Sequence, residues 1–194
     1  MRSALHDLAN TLSGIRGVLE LSDPERPLSR RDRLRLEAVL SEGMSTLERS
    51  RHLAMETLPS ADSEPGLEWR AGLEIGLNPL AVVFRSNFHL HHQGSPNLDH
   101  WPGDRLRGYI LAVTRQLLPY AQGSEIELIF EADASEWIIH WSPITTLPES
   151  LDGNVQGRSR DISSRWALKV GAALGVALSF NEEAQKVSAR VPRS

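Results

Sequence analysis

The chain has 194 residues, 40% of them hydrophobic and 24% charged, which is enough apolar material for one domain or two small ones with a real core. A formal net charge of −4 and a pI near 6.0 supply no global basic field for nucleic acid. The absence of cysteine excludes disulfides and thiolate metal sites. No apolar run approaches the roughly 20 residues of a membrane span, and His6, Asp7 and Asn10 interrupt the opening stretch where a signal peptide would be continuously apolar. A soluble cytoplasmic protein is the expectation.

Residues 2–22 are predicted as a first helix, with Leu5, Leu8, Leu12, Ile15 and Leu19 stepping at threes and fours along one apolar stripe. His6, Asn10, Ser13 and Gly17 follow a second line that is small and polar apart from the imidazole. A histidine there, with Asp7 beside it, has two readings: a surface histidine on a bundle helix, or a phosphoryl acceptor above a low surface that another protein can approach. Asp23, Pro24 and Pro27 oppose helix continuation and mark a turn. Ser29, with Asp32 three residues on, opens a second helix running to about Leu58. Its apolar positions include Leu36, Val39, Leu40, Met44, Leu47 and Leu53, and Arg30, Arg31, Arg33 and Arg35 crowd its first turns. A short turn between two long helices gives an antiparallel hairpin. Two helices cannot enclose a core, so the hairpin is expected to pair with a second copy as a dimeric four-helix bundle.

Pro59 to Gly66 reads as a linker by composition. The expected division is a helical hairpin over 1–59, a linker over 60–67 and a second domain over 68–194. In the second domain Glu68 to Val83 is predicted as a helix, weakened by Gly72, Gly76 and Pro79. Phe84 to Leu90 is a strand candidate, Gln93 to Pro102 a loop, and Asp104 to Tyr120 a strongly amphipathic helix. Glu125 to Phe130 and Glu136 to Trp141 alternate in period two, as a hairpin of half-buried strands does. Residues 148–163 show no clear element. A helix from Arg165 to Leu174 and strands over Gly175–Phe180 and Lys186–Val191 complete the chain. The fold class expected is α+β, with helices on one face of a mostly antiparallel sheet.

Two clusters invite other readings. His89, His91, His92 and His100 could point to metal, but no carboxylate or cysteine completes a convincing set, so no metal is assigned. Trp69, Trp101, Trp137, Trp141 and Trp166 are read as core and domain-interface anchors rather than a nucleic-acid platform.

The segment His6-Asp7-Leu8-Ala9-Asn10-Thr11-Leu12 resembles the H-box of bacterial sensor histidine kinases, with Thr11 where that family commonly has proline. The element order after it resembles the kinase ATP-binding domain. Asp104 to Leu111 resembles the start of its first ATP-site helix, Trp137 to Trp141 its central strand, Leu147 to Leu151 the loop after that strand, and Val187 to Pro192 its final strand. The resemblance implies a dimerisation and phosphotransfer hairpin followed by an α/β sandwich. It also exposes three departures. Ala112 and Gln116 stand where the kinase helix carries an acid and an asparagine for water and magnesium. Trp141-Ser142-Pro143-Ile144-Thr145 stands where an Asp-x-Gly-x-Gly loop reads adenine, and Ser164-Arg165-Trp166-Ala167 where a Gly-x-Gly turn cradles phosphates.

A kinase scaffold with a degenerate nucleotide site and a retained His6 resembles the dimeric histidine phosphotransferases of two-component phosphorelays. That resemblance implies no bound cofactor, phosphoryl exchange with the aspartates of response-regulator receiver domains, and magnesium supplied by the receiver. His6 would be the nucleophile. Asp7 would hold its tautomer, and Asn10 would position a water or phosphoryl oxygens. Ser13, Gly14 and Gly17 leave a shallow groove, explained either by receiver docking or by close approach of the second helix. The alternatives are a non-catalytic pseudokinase regulator and a receiver phosphatase.

Overall fold

A computed structural model describes residues 12–17, 19, 28–54, 58–59, 62–64, 66–93, 101–132, 135–151 and 162–193. Residues 12–17 (α1) are helical, and α2 runs Arg30–Ala54. The Ser29 hydroxyl accepts the Asp32 backbone N–H at 3.1 Å and donates to its carboxylate, which satisfies an otherwise orphaned helix donor. α1 lies against α2 at Gly14, where a Cβ would come within 3.2 Å of Val39 Cγ1.

The face that α2 turns to the rest of the chain is not its leucine face. Ala38, Thr46 and Arg49 are buried, whereas Leu34, Leu40, Met44 and Leu47 are each about half exposed or more. Arg49 can be buried because Glu42, Ser45 and Thr46 accept its guanidinium at 2.9–3.0 Å. Helical periodicity alone marks an apolar stripe without saying what covers it.

The stretch expected as a linker is tied down. Ser63–Glu64 (β1) pairs antiparallel with Trp101–Pro102 (β3). The Gly103 N–H donates to the Asp62 carbonyl at 2.9 Å, and the Arg105 guanidinium donates twice to the Pro59 carbonyl. Helix α3 (Gly66–Phe84) follows. Trp69, Leu73, Leu77 and Leu80, at steps of four and three, form its buried stripe. The chain leaves α3 through Arg85 at φ 55°, with the Ser86 N–H closing onto the Ala81 carbonyl at 3.0 Å. This left-handed cap places the next strand, β2, at Asn87–Gln93, three residues beyond the sequence expectation.

Helix α4 (Gly103–Leu117) leads through a 3-10 turn into β4 (Glu125–Ala132) and β5 (Glu136–Ser142). Helix α5 (Ile162–Leu174) begins three residues earlier than expected, and β6 (Ala177–Asn181) and β7 (Lys186–Pro192) follow it. Gly175 at φ 66° terminates α5. The sheet order is β2-β4-β5-β7-β6, with β2 parallel to β4 and every other pair antiparallel. Alternate residues Ile126, Leu128, Phe130, Trp137, Ile139, Trp141, Val187, Ala189 and Val191 form one buried face beneath the helices. The fold is therefore mixed α+β with one helical layer on a five-stranded sheet.

His92 packs its ring at 5.3 Å from that of Phe130, and His140 bonds Ser188 at 2.7 Å. Burial, followed by Arg70 for His92 and by Lys186 for His140, holds both below the ordinary value of 6.5. The unfolded chain therefore binds more protons than the folded one just below pH 6.5, and stability falls as pH drops through that range. Urea unfolding midpoints are expected to decline from pH 7 to pH 5, and the decline should be shallower in a His92→Gln/His140→Gln double variant.

Candidate functional site

Helix α4 is the element around which the candidate site is arranged. It buries Leu106, Tyr109, Ile110, Ala112, Val113, Thr114 and Leu117. On one side it meets α3, where a Cβ at Gly76 would lie 2.6 Å from Leu111 Cδ1. On the other it meets α5, where a Cβ at Gly171 would lie 2.9 Å from Tyr109 Cε2 and one at Gly108 would lie 3.6 Å from Trp166 Nε1. Glycine at 171 is required for this approach, because an added methyl would overlap the buried Tyr109 ring, whereas at 76 the Leu111 methyl would have to shift. From the sheet, the Trp141 indole N–H donates to Thr114 Oγ1 at 2.8 Å, wholly buried. Burial pushes the Tyr109 phenol well above its ordinary value, so it remains neutral.

The three segments that depart from the kinase pattern converge here. Ala112 is fully buried on α4. One turn on, the Gln116 amide oxygen accepts the Ser150 hydroxyl at 3.3 Å, which joins α4 to the 3-10 turn Glu149–Leu151. The loop after β5 is stitched down on both sides. The Ile144 N–H donates to the Gln185 carbonyl at 2.7 Å, the Thr145 N–H and hydroxyl both donate to the Tyr120 carbonyl, and the Gln122 N–H donates to the Pro143 carbonyl. Ile144 and Leu151 are buried beneath it. At the start of α5, Ser163, Ser164, Trp166 and Ala167 are all buried.

Helix α2 covers the same end. Glu42 accepts Arg49 and also Arg115 from α4, and Thr46 Oγ1 accepts Arg115 at 3.3 Å. Between α2, α4 and α5 lies a cavity of about 500 Å³ lined by Arg49, His52, Arg107, Gly108 and Trp166 among others. His52 and Trp166 face each other across it with ring centroids 5.5 Å apart.

His6, Asp7 and Asn10 lie outside the described residues, as does His100. Of the docking candidates, Ser13 is exposed, Gly14 abuts Val39, and Gly17 has open space where a Cβ would stand. His89 bonds the Glu125 carboxylate at 2.6 Å and stacks on His91 at 6.4 Å, while His92 points to the other face. Among the described residues no group of three His, Asp or Glu side chains is arranged to hold a metal ion. Trp69, Trp137, Trp141 and Trp166 are buried core residues. No helix among the described residues is long and apolar enough to cross a membrane. Sequence reading did not single out Glu42, Thr46, Arg49 and Arg115: the first three share one face of α2 at i, i+4 and i+7, but polar residues at that spacing read as a solvated face until Arg115 arrives from 73 residues away.

This architecture is a sensor histidine kinase-like fold. The chain superposes on the histidine kinase AdeS of Acinetobacter baumannii with a TM-score of 0.59 at 11% identity, over 98% of this chain and 95% of that one. A structure described as a bacterial phosphotransferase matches with a TM-score of 0.55 at 12% identity, over 97% of this chain and 91% of that one. The blue-light activated histidine kinase EL346 of Erythrobacter litoralis matches with a TM-score of 0.51 at 13% identity, over 96% of this chain and 62% of that one. No family model matches the sequence, and no curated protein does.

The two guanidiniums on Glu42 make it the residue that joins α2 to α4. Glu42→Gln leaves both facing a neutral partner in a half-buried site. It should cost about 1–3 kcal/mol in urea unfolding and open the α2–α4 contact to limited proteolysis.

Proposed function

We propose that this protein is a histidine phosphotransferase of a two-component phosphorelay, passing phosphoryl groups between receiver aspartates through His6 without using ATP. The observation that carries the proposal is the side-chain filling of the nucleotide end of a kinase-like fold. Ala112, Ile144 and Trp166 are buried at the positions where resemblance to the kinases places a magnesium ligand, an adenine-reading loop and a phosphate cradle. These residues do not fit a nucleotide. An apolar methyl cannot hold a metal, Ile144 offers adenine no carboxylate, and an indole over Gly108 occupies space that a phosphate would need.

The donor in this reading is the acyl phosphate of a receiver aspartate. One ring nitrogen of neutral His6 attacks phosphorus in line. The N–P bond forms as the P–O bond to the aspartate breaks, and the carboxylate leaves with that electron pair. The N–H on the other ring nitrogen is held by Asp7, which fixes the tautomer and stabilises positive charge on the ring. Asn10, four residues after His6, orients a phosphoryl oxygen. Transfer onward to a second receiver runs the same steps in reverse. Magnesium belongs to the receiver.

Ser13 and Gly17 give a receiver helix a low surface to lie on, and Gly14 lets α1 sit close to α2. Two copies are expected to pair through the outward leucine face of α2. Leu40, Met44 and Leu47 are 50%, 71% and 50% exposed, and burying them is the ordinary fate of such a stripe. The domain division with a linker at residues 60–67, a cytoplasmic location and freedom from resident cofactor and metal belong to the same reading.

His6→Ala should abolish acquisition of label from a phosphorylated receiver while receiver binding persists. Asp7→Asn should slow transfer roughly tenfold or more. Binding without any transfer by the unaltered protein would instead mean a scaffold, and loss of receiver phosphate without a phosphohistidine would mean a phosphatase. Separately, Leu40→Asp/Met44→Asp should convert a dimer to a monomer by sedimentation equilibrium with the helical signal of the second domain retained.

A further inference from the structure

At the opposite end of α2 from the nucleotide region, the chain builds a groove of about 580 Å³ between the start of α2 and the end of α3. Arg30, Arg31, Arg35 and Arg85 line it, with Leu34, Ala81 and Val82 among its apolar residues and no carboxylate among the described lining residues. Four guanidiniums in one groove are a local exception in a chain of net charge −4. None of the four makes an ion pair with a carboxylate among the described residues. Three nearby acids among the described residues are committed or set apart. Asp32 bonds Ser29, Glu125 is held by Asn87 at 2.7 Å and by His89, and Glu37 lines a different groove on α2.

Arg85 strengthens the argument. It occupies the left-handed cap of α3 at φ 55°, a conformation that disfavours any side chain and that glycine adopts freely. An arginine held there at a cost to the backbone brings a fourth cation to the groove from a second element. The guanidinium fork matches carboxylate geometry, and Val82 and Leu34, 38% and 49% exposed, provide apolar contact beside it.

We propose that this groove docks an acidic segment of a partner protein, with carboxylates on the arginines and an apolar side chain against Leu34 and Val82. A protein segment is favoured over nucleic acid because the basic surface is a single concavity rather than a continuous track. It is favoured over a lipid surface because the charges line a hollow that a planar membrane does not enter. The proposal is independent of the phosphoryl chemistry assigned to His6.

The test uses the whole protein and a short fluorescent peptide of alternating aspartate and leucine, with a single-stranded oligonucleotide and anionic phosphatidylglycerol vesicles as competing probes. Binding of the peptide should weaken with added salt and fall roughly tenfold or more in Arg31→Glu/Arg35→Glu, while the charge-matched Arg165→Glu/Arg190→Glu control binds normally. Arg85→Gly should weaken the peptide while raising the urea midpoint, a combination that misfolding cannot produce. Equal losses in the groove and control variants would overturn the proposal. So would absence of peptide binding, or groove-dependent binding of the oligonucleotide or vesicles in preference to the peptide.

Discussion

The packing of α5 on α4 sets the character of this molecule. Two rings and two glycines make the contact: Tyr109 against Gly171, and Trp166 against Gly108. A ring facing a residue without a side chain lets two helices approach closely with little void, and dense packing of this kind is costly to open. Trp141 reinforces it from the sheet through Thr114, a buried bond whose loss would strand a hydroxyl. Once α4 and α5 are closed on each other, the loop after β5 has nowhere to go but onto the end of α4, where Tyr120 and Gln122 receive it. Ile144 and Leu151 are buried at this end, beside the cavity between α2, α4 and α5.

Helix α2 packs against α3 and α5 and is tied to α4 by an ion pair. Arg115 of α4 reaches Glu42, and Glu42 neutralises Arg49, so a charge-bearing helix face is buried without an unpaired cation. The consequence for the helical arm is an inversion. Thr46 and Arg49 are buried, while Leu34, Leu40 and Leu47 are exposed and available for another surface. The arginines at its far end lie beyond this contact, beside the left-handed cap of α3.

Much of this was legible in the residues. The period-two alternation of β4, β5 and β7 marked the buried face of the sheet, and Ser29 with Asp32 marked the start of α2, because both signals are local. The end of α3 was legible to within one residue, but the start of β2 was not: Phe84 stays in the helix, and the left-handed turn at Arg85 delays the strand to Asn87. The short strand β1 was hidden because Ser63 and Glu64 carry no strand signal of their own and pair only when Trp101 and Pro102 arrive beside them. Likewise the apolar stripe of α2 was visible, but its orientation depends on ion pairs between residues far apart in sequence. The residues Ala112, Ile144 and Trp166, singled out by the resemblance to the kinases, are all buried. The segment carrying His6, Asp7 and Asn10 lies outside the described residues.

The most direct test compares two phosphoryl donors on the same protein. One sample receives radiolabelled ATP with magnesium, and the other receives a radiolabelled phosphoreceiver without nucleotide. The account predicts acid-labile, base-stable label on the protein from the receiver and none from ATP. Label from ATP at a rate matching or exceeding that from the receiver would contradict it and make the protein a kinase.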